Sequence, residues 1–355
     1  MADSARLISR AADFRAALHA WYRTAARPLP WRTSPSLYQT VVSEFMLQQT
    51  QVKTVLPYFA RWLEMLPDFA ALAAAPEAKV LKLWEGLGYY SRARNLHRLA
   101  QAIVARTEPP RTPEAWRELP GVGPYTAAAI TSIAFGAPAA VVDGNVVRIL
   151  ARLTADDRTF KDGVTAAKAF ADLAQSLISA EGAGDHNQAM MELGATVCVR
   201  QNPLCTVCPV FAFCAARKAG DPAQFPRLAS KPSIALTVTR VWCVHRGRLL
   251  LHRADAGARR LAAQHELPTA EQAGLSVDRA TKGELLAQRK RGITKYRITE
   301  SIYRVGPKAV PGKTPQGLVW VPLKALHEIT LSGPHRRWVG EILAAHAEAR
   351  RPRRF

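Results

Sequence analysis

The hydrophobic period changes once along this chain, and that change commits it to two differently built parts. From about residue 10 to 215, apolar residues recur at three- and four-residue spacing, as over 38–56, 80–84, 96–106 and 126–135, with Pro and Gly as punctuation. Strand signals are scarce there. Residues 216–233 carry prolines and charges and read as a linker. Beyond it the spacing shifts towards two: Ile234, Leu236, Val238 and Val241 lead through Arg246-Gly247-Arg248 into Leu249, Leu250 and Leu251, which is strand, turn, strand. A further strand is expected over 298–305 and a closing helix over 336–349. The prediction is a multidomain chain: an all-α unit over 1–215, a linker, and an α+β domain over 234–355. No repeat of 20–50 residues suggests a solenoid.

Charge separates the same two parts. The whole chain carries 49 Lys and Arg against 28 Asp and Glu, a net of +21. Residues 1–225 contribute +5 and residues 226–355 contribute +16. Such a balance suits a polyanionic partner, nucleic acid or an acidic membrane surface, better than a small neutral metabolite. The longest apolar tract, 125–142, is broken by Thr131, Ser132, Gly136 and Pro138, so it reads as a buried helix and turn rather than a membrane span. The start runs into mixed polar sequence without a secretory apolar core, which points to an intracellular protein.

Four of the five cysteines, Cys198, Cys205, Cys208 and Cys214, fall within 17 residues in a C-x6-C-x2-C-x5-C run. In an intracellular protein, disulfides are a poor use of such close thiols. Four thiolates suit zinc or an iron–sulfur cluster. Only one short C-x2-C pair is present, and unequal gaps better suit a loop wrapped around a [4Fe–4S] cluster. Arg200, inside the first gap, is then placed for a DNA phosphate. Cys243, within a predicted strand, reads as a small core residue.

Leu119-Pro120-Gly121-Val122-Gly123-Pro124 lies between two helical stretches. Gly121 and Gly123 permit a tight turn whose N–H groups converge at a helix start, and Pro124 suits the first turn. This is a helix–hairpin–helix signature for holding a phosphate without reading sequence. Asp143, which follows the apolar 141–142, is expected to N-cap the next helix and to stay ionised through the dipole and local N–H donors. Glu44 sits among Val41, Val42, Phe45 and Met46. Partial burial there would raise its pKa and make it a proton donor near neutrality.

The hairpin, the Asp some 20 residues later and the cysteine spacing resemble the endonuclease III superfamily of DNA glycosylases over roughly residues 10–215. Its bifunctional members carry a lysine nucleophile where this chain has Tyr125, so the resemblance implies base excision with little lyase activity. Within that superfamily, Ser43-Glu44-Phe45-Met46-Leu47-Gln48-Gln49-Thr50, Pro30-Trp31-Arg32 and Gly86-Leu87-Gly88-Tyr89-Tyr90-Ser91-Arg92 are similar to the MutY family. That resemblance implies a monofunctional hydrolase removing adenine opposite 8-oxoguanine or guanine in double-stranded DNA. It implies Glu44 as general acid, with Asp143 and Tyr125 stabilising the cation and Asn145 supporting them. Arg27, Trp31, Arg32, Leu47 and Glu192 would line the adenine pocket, and Gln49 and Tyr89 would wedge into the stack.

The same resemblance makes the C-terminal domain Nudix-like and lesion-reading. Leu250-Leu251-His252-Arg253 matches its opening, whereas 261–268 departs from the family's sequence and lacks an acidic hydrolase box. The family's Phe-Ser-His turn stands here as Ile293-Thr294-Lys295, with the Thr294 hydroxyl facing the role of bonding the 8-oxoguanine edge. A monomer in the cytoplasm, on the nucleoid in a bacterium, is expected. Two other readings compete: a mismatch thymine or uracil glycosylase, which also has Tyr at the lysine position, and a catalytically silent mismatch-binding protein.

Overall fold

The computed structural model describes every residue except Met1, Ser34, Lys231, 256–263, Thr294, 312–314 and 350–355. The chain divides into two compact units, 1–75 with 91–230, and 76–90 with 231–355. The first is helical and the second α+β. Among the described residues no helix is long and apolar enough to cross a membrane.

The first unit is built from α1 (Ala11–Ala25), α2 (Leu37–Leu47), α3 (Val52–Met65), α4 (Ser91–Val104), α5 (Pro124–Phe135), α6 (Gly144–Leu153), α7 (Gly163–Leu177) and α8 (Ala183–Thr196), with shorter helical turns between them. Phe14, Leu18, Leu150, Phe170 and Leu193 fill one core. The continuous helical pattern over 38–56 is broken in the fold. Helix α2 stops at Leu47, and Gln49 turns left-handed at φ 56° before α3 begins. Ser36 starts α2 with a capping box: its hydroxyl accepts from Gln39 N–H at 3.2 Å, and Gln39 Oε1 accepts from Ser36 N–H at 3.0 Å. The stretch 216–233 is not a bare tether either, because Arg227–Leu228 pairs in parallel with Thr159–Phe160.

In the second unit, β1 (Ile234–Trp242) does not form the first arm of a hairpin with the next strand. It runs parallel to β4 (Tyr296–Arg304), which pairs antiparallel with β3 (Glu284–Ile293). The Arg246-Gly247 turn closes only the short Val244–His245 pairing with β2 (Arg248–Arg253). Strand β2 also pairs with β5 (Leu318–Pro322) and His265–Glu266. Helix α9 (Gly333–Ala349) places Trp338, Val339 and Ile342 against Leu249, Leu251 and Ile302. Cys243 is fully buried there. Hydrogen bonds tie residues 76–90 to this unit. Lys82 Nζ donates to Ile329 O at 2.9 Å, Leu331 N–H to Glu85 Oε1 at 2.8 Å, and the Tyr90 hydroxyl to Leu331 O at 3.2 Å.

A buried ionic knot locks the three-stranded sheet. Glu300 is fully buried and receives Arg240 Nε at 2.7 Å and the Arg291 guanidinium on its other oxygen. Removing one partner of such a set strands the other charges, which costs more than never having had them. Glu300→Ala is expected to destabilise the second unit by about 3–5 kcal/mol. Glu300→Leu combined with Arg240→Met should cost less, and denaturant unfolding followed by tryptophan fluorescence reads both.

Candidate active site

Helix α2 is buried on almost every side, with Thr40, Val41, Val42, Ser43, Phe45 and Met46 all packed away from solvent. That packing carries Glu44 into the interior at 5% exposure, where its Oε2 has no hydrogen-bond partner. Burial lifts its pKa to about 7, against the lowering effect of the Tyr125 hydroxyl and the Arg32 charge, and with help from nearby Asp143. The Tyr125 hydroxyl lies near Glu44 but makes its well-formed hydrogen bond to Met191 Sδ at 3.1 Å, so the carboxyl keeps a free oxygen. Burial and the two neighbouring carboxylates push the Tyr125 pKa well above its usual value, and it stays a neutral phenol.

Asp143 caps α6 as the sequence suggests. Its Oδ1 accepts from the Asn145 and Val146 N–H groups at 2.9 and 2.8 Å, and its Oδ2 from Asn145 Nδ2 at 3.0 Å. The sequence expects this cap to keep the carboxylate ionised, yet its pKa moves the other way. Burial raises it, outweighing those three donors and the Arg148 charge.

Glu44, Tyr125, Asp143 and Asn145 open onto one cavity of about 560 Å³, together with Arg27, Trp31, Arg32, Leu47 and Glu192. Glu192 is fully buried on α8 and is held from two sides. Arg27 donates Nε to Oε1 at 2.6 Å and Nη2 to Oε2 at 2.8 Å, and Arg32 Nη2 adds a bond to Oε2 at 2.8 Å. Burial alone would raise the Glu192 pKa, but the two guanidiniums hold it down at about 2. The cavity thus pairs a protonatable acid, Glu44, with a permanently ionised one. Trp31 is buried and meets the Phe59 ring edge-on at 5.1 Å.

Gln49 and Tyr89 are both exposed and both left-handed, at φ 56° and 47°. Non-glycine residues hold that conformation only where their surroundings impose it, and such strain concentrates at functional sites. Gly121 takes φ 77°, and a Cβ there would come within 2.5 Å of Asn95 Cβ. Gly123 N-caps α5 with nothing within 4 Å of its missing Cβ, which leaves the helix start open. Arg200 is exposed, with its carbonyl occupied by Arg152. Thr294 lies outside the described residues.

Two residues of this region carry no signal in the motifs. Arg148 Nη2 bonds Asn145 Oδ1 at 2.9 Å and Gly194 O at 2.8 Å, while its Nε bonds Cys198 O at 2.8 Å. One turn on, Arg152 is buried and reaches Cys198 Sγ at 3.3 Å and Val199 O at 2.8 Å. An i, i+4 arginine pair on an otherwise apolar helix was the only available hint. Gly194 admits this contact because a Cβ there would lie 2.5 Å from Asn145 Cβ.

The four cysteines line one hollow with Arg152, Leu204 and Phe211. Burial pushes Cys208 up to about 12 and also raises Cys214, and the neighbouring thiols add to both shifts. A cationic metal group held in this hollow would ionise thiols that burial otherwise keeps protonated, as at Cys208 and Cys214. Among the described residues, no three His, Cys, Asp or Glu side chains group closely enough for a metal ion.

Residues 42–175 match the HhH-GPD superfamily of base excision DNA repair proteins. A mouse adenine DNA glycosylase is 44% identical over 242 residues, covering 64% of this chain and 47% of its own length. One from Mycolicibacterium smegmatis is 41% identical over 209 residues, covering 58% of this chain and 70% of its own. The chain belongs to the adenine DNA glycosylase family. It spans about half the length of the mouse relative. A thermostable thymine-DNA glycosylase of solved structure superposes with a TM-score of 0.53 at 26% identity, over 59% of this chain and 98% of that one. The first unit therefore has the helical HhH-GPD fold. In this adenine DNA glycosylase family member, the residues that the MutY resemblance named within the first unit and around the adenine surround a common cavity.

The raised Glu44 pKa has a consequence for stability. The folded state favours the protonated acid, so stability falls as pH rises from the unfolded value near 4.5 through about 7. Glu44→Gln is therefore expected to stabilise the first unit by up to about 3 kcal/mol at pH 8 and little at pH 4. Denaturant unfolding at both pH values checks it.

Proposed function

We propose that this chain is a monofunctional glycosylase that hydrolyses the N-glycosidic bond of adenine mispaired with 8-oxoguanine or guanine in duplex DNA. The observation that carries this reading is the buried Glu44 carboxyl with an unpaired oxygen, facing a cavity it shares with Asp143. Adenine leaves deoxyribose poorly until a ring nitrogen is protonated. A pKa near 7 leaves Glu44 protonated in a large fraction of molecules at neutral pH. In this reading Glu44 donates its proton to adenine N7, and the C1′–N9 bond breaks with its electron pair going to the base. Asp143 supports the oxocarbenium ion, and water adds at C1′, returning one proton to the Glu44 carboxylate, to give an abasic site. Asn145 holds Asp143, and the neutral Tyr125 shields the cation.

Arg27, Trp31, Arg32, Leu47 and Glu192 would enclose the extruded base. Gln49 and Tyr89 would fill the gap it leaves, a role suited to exposed side chains on strained backbone. Gly121, Gly123 and Arg200 would hold phosphates. Cys198, Cys205, Cys208 and Cys214 would hold a [4Fe–4S] cluster, which when bound supplies a covalent staple for the 198–214 loop. Arg148 ties that loop to Asn145, and Arg152 ties it to α6, through the bonds above. Residues 226–355, with their +16 charge and the Ile293-Thr294-Lys295 segment, would engage the opposite strand.

A thymine or uracil glycosylase is disfavoured because those bases depart as stabilised anions and need no buried acid. A silent binder is disfavoured because Glu44 keeps a raised pKa beside an open cavity. Single-turnover reactions on duplexes with A:8-oxoguanine, A:G, T:G and U:G, split into alkali-treated and untreated halves, test the reading. Breaks from the adenine substrates only after alkali are expected, since Tyr125 cannot form the Schiff base that cuts the strand. Activity confined to T:G or U:G would overturn the adenine assignment.

A further inference from the structure

Arg92 opens α4 and is almost entirely buried, at 7% exposure. A buried guanidinium needs acceptors, and both terminal nitrogens of this one find them at the end of α2. Its Nη1 donates to Phe45 O and Met46 O, both at 3.0 Å, and to Gln48 O. Its Nη2 donates to the Thr50 hydroxyl at 3.1 Å. The last carbonyls of a helix lack partners within the helix and carry its negative dipole end, so a cation there is doubly suited.

These bonds bracket Gln49 from both sides. Gln48 and Thr50 are tied to Arg92, Thr50 N–H closes the turn on Leu47 O at 3.1 Å, and Gln48 Nε2 reaches Thr126 Oγ1 at 3.2 Å. Gln49 between them is exposed at φ 56°. A left-handed glutamine costs on the order of 1 kcal/mol and needs surroundings that enforce it. We infer that Arg92 is a positioning residue for base extrusion: it gathers the carbonyls at the end of α2 so that Gln49 is presented, pre-strained, to the DNA stack. The inference rests on the reading of Gln49 as a wedge.

The test is a double-mutant cycle with Gln49→Ala, Arg92→Lys and both together, on full-length protein and a duplex with adenine opposite 8-oxoguanine. Extrusion is followed by the fluorescence of 2-aminopurine in place of adenine, and excision by single turnover. Arg92→Lys keeps the charge but, with one nitrogen in place of a planar fork, cannot hold the carbonyls and the Thr50 hydroxyl together in the same geometry. Each single change is expected to lower extrusion about tenfold, with the double no worse than Gln49→Ala alone, because both act through one side chain. The alkaline limb of the rate profile, set by Glu44, should stay where it is in the unaltered protein. A general loosening of α2 would move it.

A double variant about a hundredfold down, the product of the singles, would overturn the inference, as would normal extrusion in Arg92→Lys. Normal extrusion in Gln49→Ala would instead remove the wedge reading, and the inference with it. Should Arg92→Lys fail to fold, Thr50→Val removes one acceptor of the guanidinium and should give a milder form of the same pattern. Its failure to couple with Gln49→Ala would also overturn the inference.

Discussion

Burying Glu44 with one oxygen unpaired is the constraint on which the rest of the first unit depends. An unsatisfied polar atom in the interior costs roughly 1–3 kcal/mol, and the group escapes a larger penalty by keeping its proton. The same packing that makes it costly, with Val41, Val42, Phe45 and Met46 around it, makes it an acid at neutral pH. Its setting explains the neighbours as well. Asp143 is raised by burial too, but three hydrogen bonds and the start of α6 oppose the shift, whereas two guanidiniums hold Glu192 well down. Three carboxyl groups around one cavity thus differ in the partners each is given, and so differ in their hold on a proton.

Those partners come from far along the chain. Arg148 joins Asn145 to the carbonyl of Cys198, and Arg152 joins that cysteine's sulfur to α6. Arg92 does the equivalent work at the end of α2. In each case a guanidinium satisfies backbone carbonyls that a helix end or an irregular loop leaves open. The loops of the site are thus held by arginines rather than by regular ladders.

Much of this was legible in the sequence where chemistry is local. Glu44 in an apolar helix, Asp143 before a new helix and the four spaced cysteines each announce themselves within a few residues. The arginines do not, because their acceptors are backbone carbonyls over 40 positions away that no motif records. The break at Gln49 was hidden for the same reason: a continuous helical period over 38–56 is overridden by a tertiary contact. In the second unit, β3 escaped notice because Gln288-Arg289-Lys290-Arg291 masks alternation, with Arg291 turned inward to Glu300. The short β5 was missed as well, and the expected hairpin arm β1 paired with β4 instead. The raised pKa of Asp143 required burial that sequence alone does not give.

The most direct measurement is the pH dependence of the single-turnover rate of adenine excision from an A:8-oxoguanine duplex, with substrate binding saturated. If Glu44 delivers the proton, the rate should fall as pH rises through about 7, following loss of the protonated carboxyl. A rate that stays level from pH 6 to 9 would contradict that role and would assign the buried carboxyl to structure alone.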